Sequence, residues 1–212
     1  MKDLIVLCAD RKIENTLEGL LDRPASLRIR QISYDIKVHS GRDPGCFHHA
    51  HNFLKPLRLQ YDHALVVFDR DWSGAPSQSA EALEKATNAR LKADWKGKAA
   101  SVVISPELEA WVWSDSPHVE SELGWPSRLG NLRRWLETKG LWSAGSDKPA
   151  DPKKAVEAAT REARLPWTGA VCKSLAFKVS VERCSDGSFH KLLAILQNWF
   201  GEPAVFPDSS SQ

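Results

Sequence analysis

The chain has 212 residues, of which 42% are hydrophobic and 26% are charged, and its formal net charge is +2 at pH 7. These values are ordinary for a folded globular protein, so they exclude wholesale disorder and a fibrous architecture. The net charge is too small to indicate nucleic-acid binding through bulk charge, and a nucleic-acid site would have to be a local patch.

The cysteine pattern and the N-terminus indicate the compartment. The four cysteines are far apart and form no Cys-x-x-Cys pair, which favours reduced thiols over a zinc ribbon or a disulfide framework. The apolar run Leu4–Ala9 is too short for a secretory signal. No stretch reaches the roughly 20 apolar residues that a membrane-spanning helix requires. We therefore expect a cytoplasmic protein that does not enter a membrane.

The first half of the chain alternates short apolar runs with helical patterns, which is typical of βαβ units and a mainly parallel sheet. The predicted strands are Leu4–Ala9, a segment within Leu27–Val38, Asp62–Asp69 and Ala99–Ile104. The predicted helices are Ile13–Leu21, Phe47–Leu57 and Ser79–Trp95, with a loop at Ser40–Gly45. We expect the strands Leu4–Ala9 and Val66–Asp69 to be adjacent inner strands, because both are continuous apolar runs.

After Ser105 the apolar spacing is helical, and no further strong strand pattern occurs. Ser105-Pro106 favours a helix start, with serine as the N-cap and proline at the first helical position. The predicted helices are Glu107–Trp113, Arg128–Lys139, Pro152–Arg164 and Ser188–Phe200. The prediction is an α/β fold: a mainly parallel, four-stranded, Rossmann-like sheet flanked by helices, with a helical C-terminal half.

Acidic residues follow two of the predicted strands. Asp10 comes directly after the first strand, Glu14 lies one helical turn later, and Asp69 and Asp71 end the third strand. Parallel sheets bind ligands at the carboxyl ends of their strands, so the four carboxylates converge if these strands are neighbours. Clustered carboxylates are stable when a cation neutralises them, and such oxygen ligands suit Mg²⁺ or Mn²⁺.

The order of these acids resembles the Toprim superfamily, which includes topoisomerases, bacterial primases and overcoming-lysogenization-defect nucleases. The chain is most similar to small stand-alone Toprim-like proteins, whose first motif usually reads Glu-Gly-x-Thr-Glu. In this chain the motif reads Asp10-Arg11-Lys12-Ile13-Glu14, with a shorter first acid and an arginine in place of glycine.

A second segment supports the same resemblance. The residues Ser105–Trp111 resemble a Pro-x-x-Glu-x-Trp motif that follows the fourth strand in that group, with Glu109 as the matching acid. The resemblance covers roughly Leu4–Trp113. It implies a Toprim-like core over residues 1–113. Beyond this core, the helical spacing predicts a helical extension packed on the core over 114–206, and the C-terminal residues 207–212 are expected to form a flexible tail.

The resemblance implies Mg²⁺- or Mn²⁺-dependent hydrolysis of phosphodiester bonds in DNA or RNA, where divalent ions activate water and stabilise the leaving oxygen. The implied catalytic residues are Asp10, Glu14, Asp69 and Asp71, and the implied metal ligands are Glu14, Asp69, Asp71 and Glu109. The basic residues expected to contact phosphate are Lys12, Arg70, Lys153 and Lys154. Many small Toprim-like proteins occur in anti-phage defence, so other proteins of a defence or repair system are expected partners.

One alternative remains beside the nuclease hypothesis, and two others are disfavoured by the sequence. The altered first motif favours a catalytically weakened Toprim-like module that binds nucleic acid or a partner protein. A response-regulator-like phosphoacceptor fold also clusters acids at strand ends, but it needs a lysine near the end of a fifth strand, and the sequence offers none. The run His48-His49-x-His51 invites a zinc site, yet adjacent histidines on a helix diverge and no cysteine or acid stands at ligand spacing.

Overall fold

Four segments of the first half of the chain form one parallel sheet. The computed structural model describes residues 1–201, so the predicted tail over 207–212 lies outside the described residues. The strands are β1 (Lys2–Cys8), β2 (Tyr34–Val38), β3 (Tyr61–Asp69) and β4 (Ala99–Ile104). Their order is β2-β1-β3-β4, and every pair is parallel. The predicted α/β fold and the predicted adjacency of the first and third strands are confirmed.

Helices flank this sheet on both faces. The helices of the described residues are α1 (Arg11–Leu21), α2 (Pro24–Leu27), α3 (Arg42–Leu54), α4 (Ala80–Trp95), α5 (His118–Glu122), α6 (Leu132–Thr138), α7 (Pro152–Ala163), α8 (Gly169–Lys178) and α9 (Gly187–Phe200). The chain passes from β1 to β2 in one direction and returns across β1 to β3 in the other. Right-handed crossovers therefore place α1 on the opposite face from α3 and α4, and α3 indeed contacts α4.

Helix α1 begins at a side-chain cap and buries one apolar face. Asp10 is its N-cap residue. Ile13, Leu17 and Leu20 follow at helical spacing and are almost completely buried. Burying each such side chain contributes about 1.5–3 kcal/mol, which fixes α1 against the sheet and places Asp10 at its edge.

The C-terminal helices pack against the sheet and its helices. Helix α8 lies along α1, and the approach is so close that a Cβ atom on Gly19 would lie 2.4 Å from the backbone oxygen of Lys173. Helix α9 contacts β4, and the Phe200 ring lies edge-on to His63 of β3. No helix within residues 1–201 combines the length and the apolar character needed to cross a membrane.

Two local predictions are wrong. The segment predicted as the loop Ser40–Gly45 instead contains the start of α3, which begins at Arg42. The helix predicted over Glu107–Trp113 is only a short 3-10 helix, Leu108–Trp111, preceded by Glu107 in an extended conformation. The cause is a contact with the loop after β3, because the backbone oxygen of Pro106 accepts the Asp71 N–H at 3.1 Å instead of opening a helix.

Two helices of the C-terminal half were not predicted. Helix α5 has five residues, too few for a hydrophobic period to show. Helix α8 carries apolar residues on more than one side, because it contacts α1 and also α5. The remaining predicted helices are present with shorter or shifted ends, as for α6, which spans Leu132–Thr138 rather than Arg128–Lys139.

Candidate functional site

The candidate site lies where the strand order changes direction. Strands β1 and β3 are neighbours whose connections leave toward opposite sides, and the carboxyl ends of two such strands form a crevice that binds ligands in open α/β sheets. Asp10 follows β1 by two residues, and Asp69 is the last residue of β3. The structure therefore brings these two predicted acids to one edge of the sheet.

Asp10 has a structural task at this position. Its Oδ1 atom accepts hydrogen bonds from the backbone N–H groups of Lys12 at 2.8 Å and Ile13 at 2.9 Å. These bonds satisfy two of the N–H groups that the first turn of α1 leaves without a helical partner. A carboxylate shorter than glutamate suits this role, which gives a physical reason for aspartate at the start of the motif.

Asp69 is the most perturbed carboxylate of the site. Its Oδ1 atom is buried and has no hydrogen-bond partner within residues 1–201. Burial raises the pKa of Asp69 well above its ordinary value, and the nearby carboxylates of Asp43, Glu109, Asp10 and Glu107 raise it further. An ionised carboxylate in this environment is costly unless a positive charge compensates it.

Asp43 is the member of the site that the sequence analysis missed. It lies in the first turn of α3, and its Oδ1 atom accepts the backbone N–H of Asp69 at 2.9 Å. Burial raises the pKa of the Asp43 carboxyl, with Asp10 and Glu107 adding to the effect. The signal was available in the sequence: Asp43 follows β2, so it reaches the same edge of the parallel sheet as the acids after β1 and β3.

The turn that carries Asp43 is tightly packed. Nδ1 of His39 accepts the Gly41 N–H at 2.9 Å, and a Cβ atom on Gly45 would lie 2.1 Å from that same nitrogen. Arg42 has a positive φ of 49°, an uncommon conformation for a residue with a side chain. This packing fixes the backbone on both sides of Asp43 and so directs its carboxylate toward Asp69.

Glu14 and Glu109 are buried beside the site, but each has a cationic partner. Glu14 is 9% exposed and pairs with Arg11 at 2.5 Å. Glu109 is 3% exposed, and its Oε1 atom accepts the indole N–H of Trp167 at 2.8 Å and lies 3.7 Å from Nζ of Lys12. The structure thus brings Glu109 near Asp69, whereas Glu14 lies one turn of α1 after Asp10, and both acids are partly neutralised.

Asp71 lies farther out than the other predicted acids. Its side chain is 51% exposed and forms an ion pair with Arg70 at 2.9 Å. Arg70 also donates hydrogen bonds to the backbone oxygens of Gln78 at 3.1 Å and Pro76 at 3.2 Å, so it holds the loop after β3 together. Both side chains are therefore engaged in shaping this loop.

The remaining predicted phosphate contacts are also paired. Lys153 bonds to Glu107 at 2.5 Å, and this carboxylate raises the pKa of Lys153. Lys154 lies 3.2 Å from Asp151 on the surface of α7. By contrast, the exposed Arg42 beside Asp43 makes no ion pair within residues 1–201.

The arrangement provides oxygen donors but no complete ligand set. Within the described part of the chain, no three His, Cys, Asp or Glu side chains stand ready to coordinate one metal ion, and this includes the run from His48 to His51. The buried, unpartnered Oδ1 atom of Asp69 and the crowding of carboxylates around it nevertheless fit a hard divalent cation by charge and donor type.

Comparison with known proteins adds no relative to these observations. No family model, no curated protein and no solved structure matches the chain.

Proposed function

We propose that this chain is a Mg²⁺- or Mn²⁺-dependent nuclease, related to the Toprim superfamily, that hydrolyses phosphodiester bonds of DNA or RNA. The observation that carries the proposal is Asp69, whose buried Oδ1 atom has no hydrogen-bond partner in residues 1–201 and lies among other carboxylates at the crevice of a parallel sheet. Carboxylates whose pKa values are shifted by burial and by neighbouring acids concentrate at functional sites, which favours an enzyme over a purely structural module.

The positions of the three acidic segments support the proposal. Asp10 follows β1, Asp69 ends β3, and Glu109 lies in the 3-10 helix after β4. All three therefore lie near the carboxyl edge of one sheet, and Glu109 and Asp10 are close enough to Asp69 to raise its pKa. This proximity of segments that are far apart in the sequence supports the proposal.

The chain's own residues would divide the work at this site. Asp69 and its neighbouring carboxylates would hold Mg²⁺ or Mn²⁺, which supplies Lewis-acid stabilisation of phosphate oxygens and lowers the pKa of bound water. Two cations are placed to bind a phosphate backbone. They are Lys12, which is partly exposed and lies over the ring of Trp167, and the exposed Arg42. Partner proteins of a defence or repair system would add to this surface.

A nuclease assay tests the proposal. Labelled single-stranded and duplex DNA and RNA are incubated with the protein in millimolar Mg²⁺, in millimolar Mn²⁺ and in chelator. We expect cleavage only with metal, and its loss in Asp69→Asn, which keeps the shape of the side chain and removes its charge. Asp151→Asn is the matched control, because Asp151 is an exposed N-cap of α7 that asparagine can replace.

A second candidate is a catalytically weakened module that binds nucleic acid or a partner protein. The specific observation in its favour is that both acids of the first motif are engaged locally, Asp10 as a helix cap and Glu14 in an ion pair with Arg11. The same substrates distinguish the two functions. Metal-independent binding of nucleic acid without cleavage under any metal condition would favour the module and reject the nuclease.

A further inference from the structure

Most carboxylates near the carboxyl edge of the sheet already have a cation of the protein beside them. The pairs are Glu14–Arg11, Asp71–Arg70, Glu107–Lys153 and Glu109–Lys12. Their N–O distances range from 2.5 Å for Glu14–Arg11 to 3.7 Å for Glu109–Lys12. These acids have less need of an added positive charge than carboxylates that have no such partner.

Three carboxylates of the site have no ion-pair partner within residues 1–201: Asp10, Asp43 and Asp69. The oxygen contacts that they make are with backbone N–H groups, to α1 for Asp10 and to Asp69 for Asp43. The unneutralised charge of the site is therefore concentrated on the ends of β1 and β3 and on the start of α3.

Asp69 adds an observation that points to a ligand independently of this charge count. Its Oδ1 atom is shielded from solvent and accepts no hydrogen bond in the described structure. Leaving such an acceptor unsatisfied costs about 1–3 kcal/mol, and more for a charged group. A water molecule, a proton on the carboxyl or a cation can complete a buried acceptor of this kind, and the carboxylates crowded around Asp69 favour the cation.

The Asp43 carboxylate lies beside Asp69 and is held there by packing. Its Oδ1 atom bonds to the backbone N–H of Asp69, and the contacts between His39 and Gly45 fix the turn before it. A Cβ atom at position 45 would clash with the imidazole, so this turn is built around a glycine. The fold therefore holds Asp43 in a defined position, unlike an acid that lies freely on the surface.

We infer that Asp43 and Asp69, with Asp10 beside them, hold the divalent cation, and that Glu14, Asp71 and Glu109 are held by the protein's own cations instead. This inference rests on the proposed function and changes its ligand set. Since no three side chains converge on one point as they stand, the carboxylates turn toward the ion when it binds, which the broad χ2 torsion of aspartate allows.

A Mn²⁺ titration tests the inference without measuring activity. The paramagnetic resonance signal of free Mn²⁺ is followed as protein is added, for the wild type and for Asp43→Asn, Asp69→Asn and Asp71→Asn. Asparagine at position 43 keeps an oxygen that can accept the Asp69 N–H, so this variant should fold normally. Circular dichroism and the melting temperature in chelator verify the fold of each variant.

We expect the wild type to bind Mn²⁺ and the variants at positions 43 and 69 to bind it at least about tenfold more weakly. Asp71→Asn should bind within a few-fold of the wild type, because Asp71 is exposed and paired with Arg70. Wild-type affinity in folded Asp43→Asn overturns the inference. So does loss of binding in Asp71→Asn alone, although that result leaves the proposed function intact with the sequence-predicted ligands.

Failure of the wild type to bind Mn²⁺ or Mg²⁺ at millimolar concentration has a different meaning. It overturns the inference and the metal-dependent function together, and the binding module then remains. Competition between Mg²⁺ and Mn²⁺ for the same signal shows whether one site takes both ions, as oxygen ligands of this type should.

Discussion

The indole Nε1 atom of Trp167 donates a 2.8 Å hydrogen bond to Oε1 of Glu109. Trp167 lies just before α8, whereas Glu109 lies in the 3-10 helix after β4, so the bond joins segments 58 residues apart in the sequence. The Trp167 ring packs against both apolar clusters of the protein, the one around the sheet and the one among the C-terminal helices. This single residue therefore links the C-terminal helices to the candidate site.

The first prediction concerns this bond. Trp167→Phe keeps an aromatic ring but removes the N–H that satisfies the buried Glu109, which is 3% exposed. We expect the free energy of unfolding to fall by about 1–3 kcal/mol, because a buried acceptor loses its donor. Chemical denaturation followed by circular dichroism measures the change.

Trp135→Phe is the matched control for this prediction. Trp135 belongs to the cluster of C-terminal helices, and its indole N–H makes no hydrogen bond to the described residues. The control should lose less stability than Trp167→Phe. Equal losses in the two variants would show that ring packing, and not the bond to Glu109, accounts for the effect.

The sheet and the convergence of Asp10 and Asp69 at one of its edges could be predicted because both depend on local pattern. The strands around Leu7 and Val66 are continuous apolar runs, and a run of that kind forms an inner strand whichever helices cover it. Asp10 and Asp69 lie at the ends of those runs, so their convergence follows from the parallel topology.

The charge state of the site could not be predicted in the same way. Whether Glu109 or Asp71 has a cationic partner depends on where Lys12 and Arg70 direct their long side chains, and this is a matter of tertiary packing. Asp43 was missed because Gly41, Pro44 and Gly45 indicate a loop, whereas contacts with His39 support the first turn of a helix there.

The second prediction concerns pH. The pKa of Asp69 is raised well above its ordinary value, so the folded protein retains a proton that the unfolded chain releases above about pH 4. Stability should therefore fall as pH rises from about 4 toward the folded pKa, because the folded state binds more protons in this range. In chelator, the melting temperature of the wild type should decline across this window relative to Asp69→Asn.

The Asp69→Asn variant also tests whether the Asp69 carboxyl lowers the stability of the folded protein at neutral pH. At neutral pH without metal it should melt at a higher temperature than the wild type, because asparagine has no titratable carboxyl that folding moves into a buried place beside Asp43 and Glu109. Near pH 4 the difference should shrink, since the wild-type carboxyl is then protonated. A variant that melts below the wild type at every pH would contradict this electrostatic account.

The third prediction concerns the turn that carries Asp43. In Gly45→Ala the new Cβ atom would lie 2.1 Å from Nδ1 of His39, so the ring or the backbone must move. We expect a loss of about 1–3 kcal/mol in the free energy of unfolding, together with a weaker response of the melting temperature to Mn²⁺. Gly187→Ala is the control, because its Cβ would meet nothing within 4 Å.

The double variant His39→Ala/Gly45→Ala separates two effects on stability and Mn²⁺ response: the clash of the new methyl group and the loss of the His39 contact. Removing the imidazole makes room for the new methyl group, so part of the stability lost in Gly45→Ala should return. The response to Mn²⁺ should recover less, since the His39 contact that fixes the turn before Asp43 is then absent. Full recovery of both properties would show that the imidazole is dispensable for the position of Asp43.

The fourth prediction concerns the contact between α1 and α8. A Cβ atom on Gly19 would lie 2.4 Å from the backbone oxygen of Lys173, and backbone cannot yield as a side-chain tip can. Gly19→Ala should therefore force α8 away from α1 and expose the apolar residues between them.

In the wild type, limited proteolysis should not release a stable fragment of residues 4–105, because α8 and α9 cover apolar surface of that segment. In Gly19→Ala, cleavage between residues 163 and 187 should become faster, while Gly187→Ala should be cut at the wild-type rate. A fragment of residues 4–105 that is excised cleanly from the wild type and keeps a native circular dichroism spectrum would contradict the prediction, since it would show that the sheet is stable without the C-terminal helices.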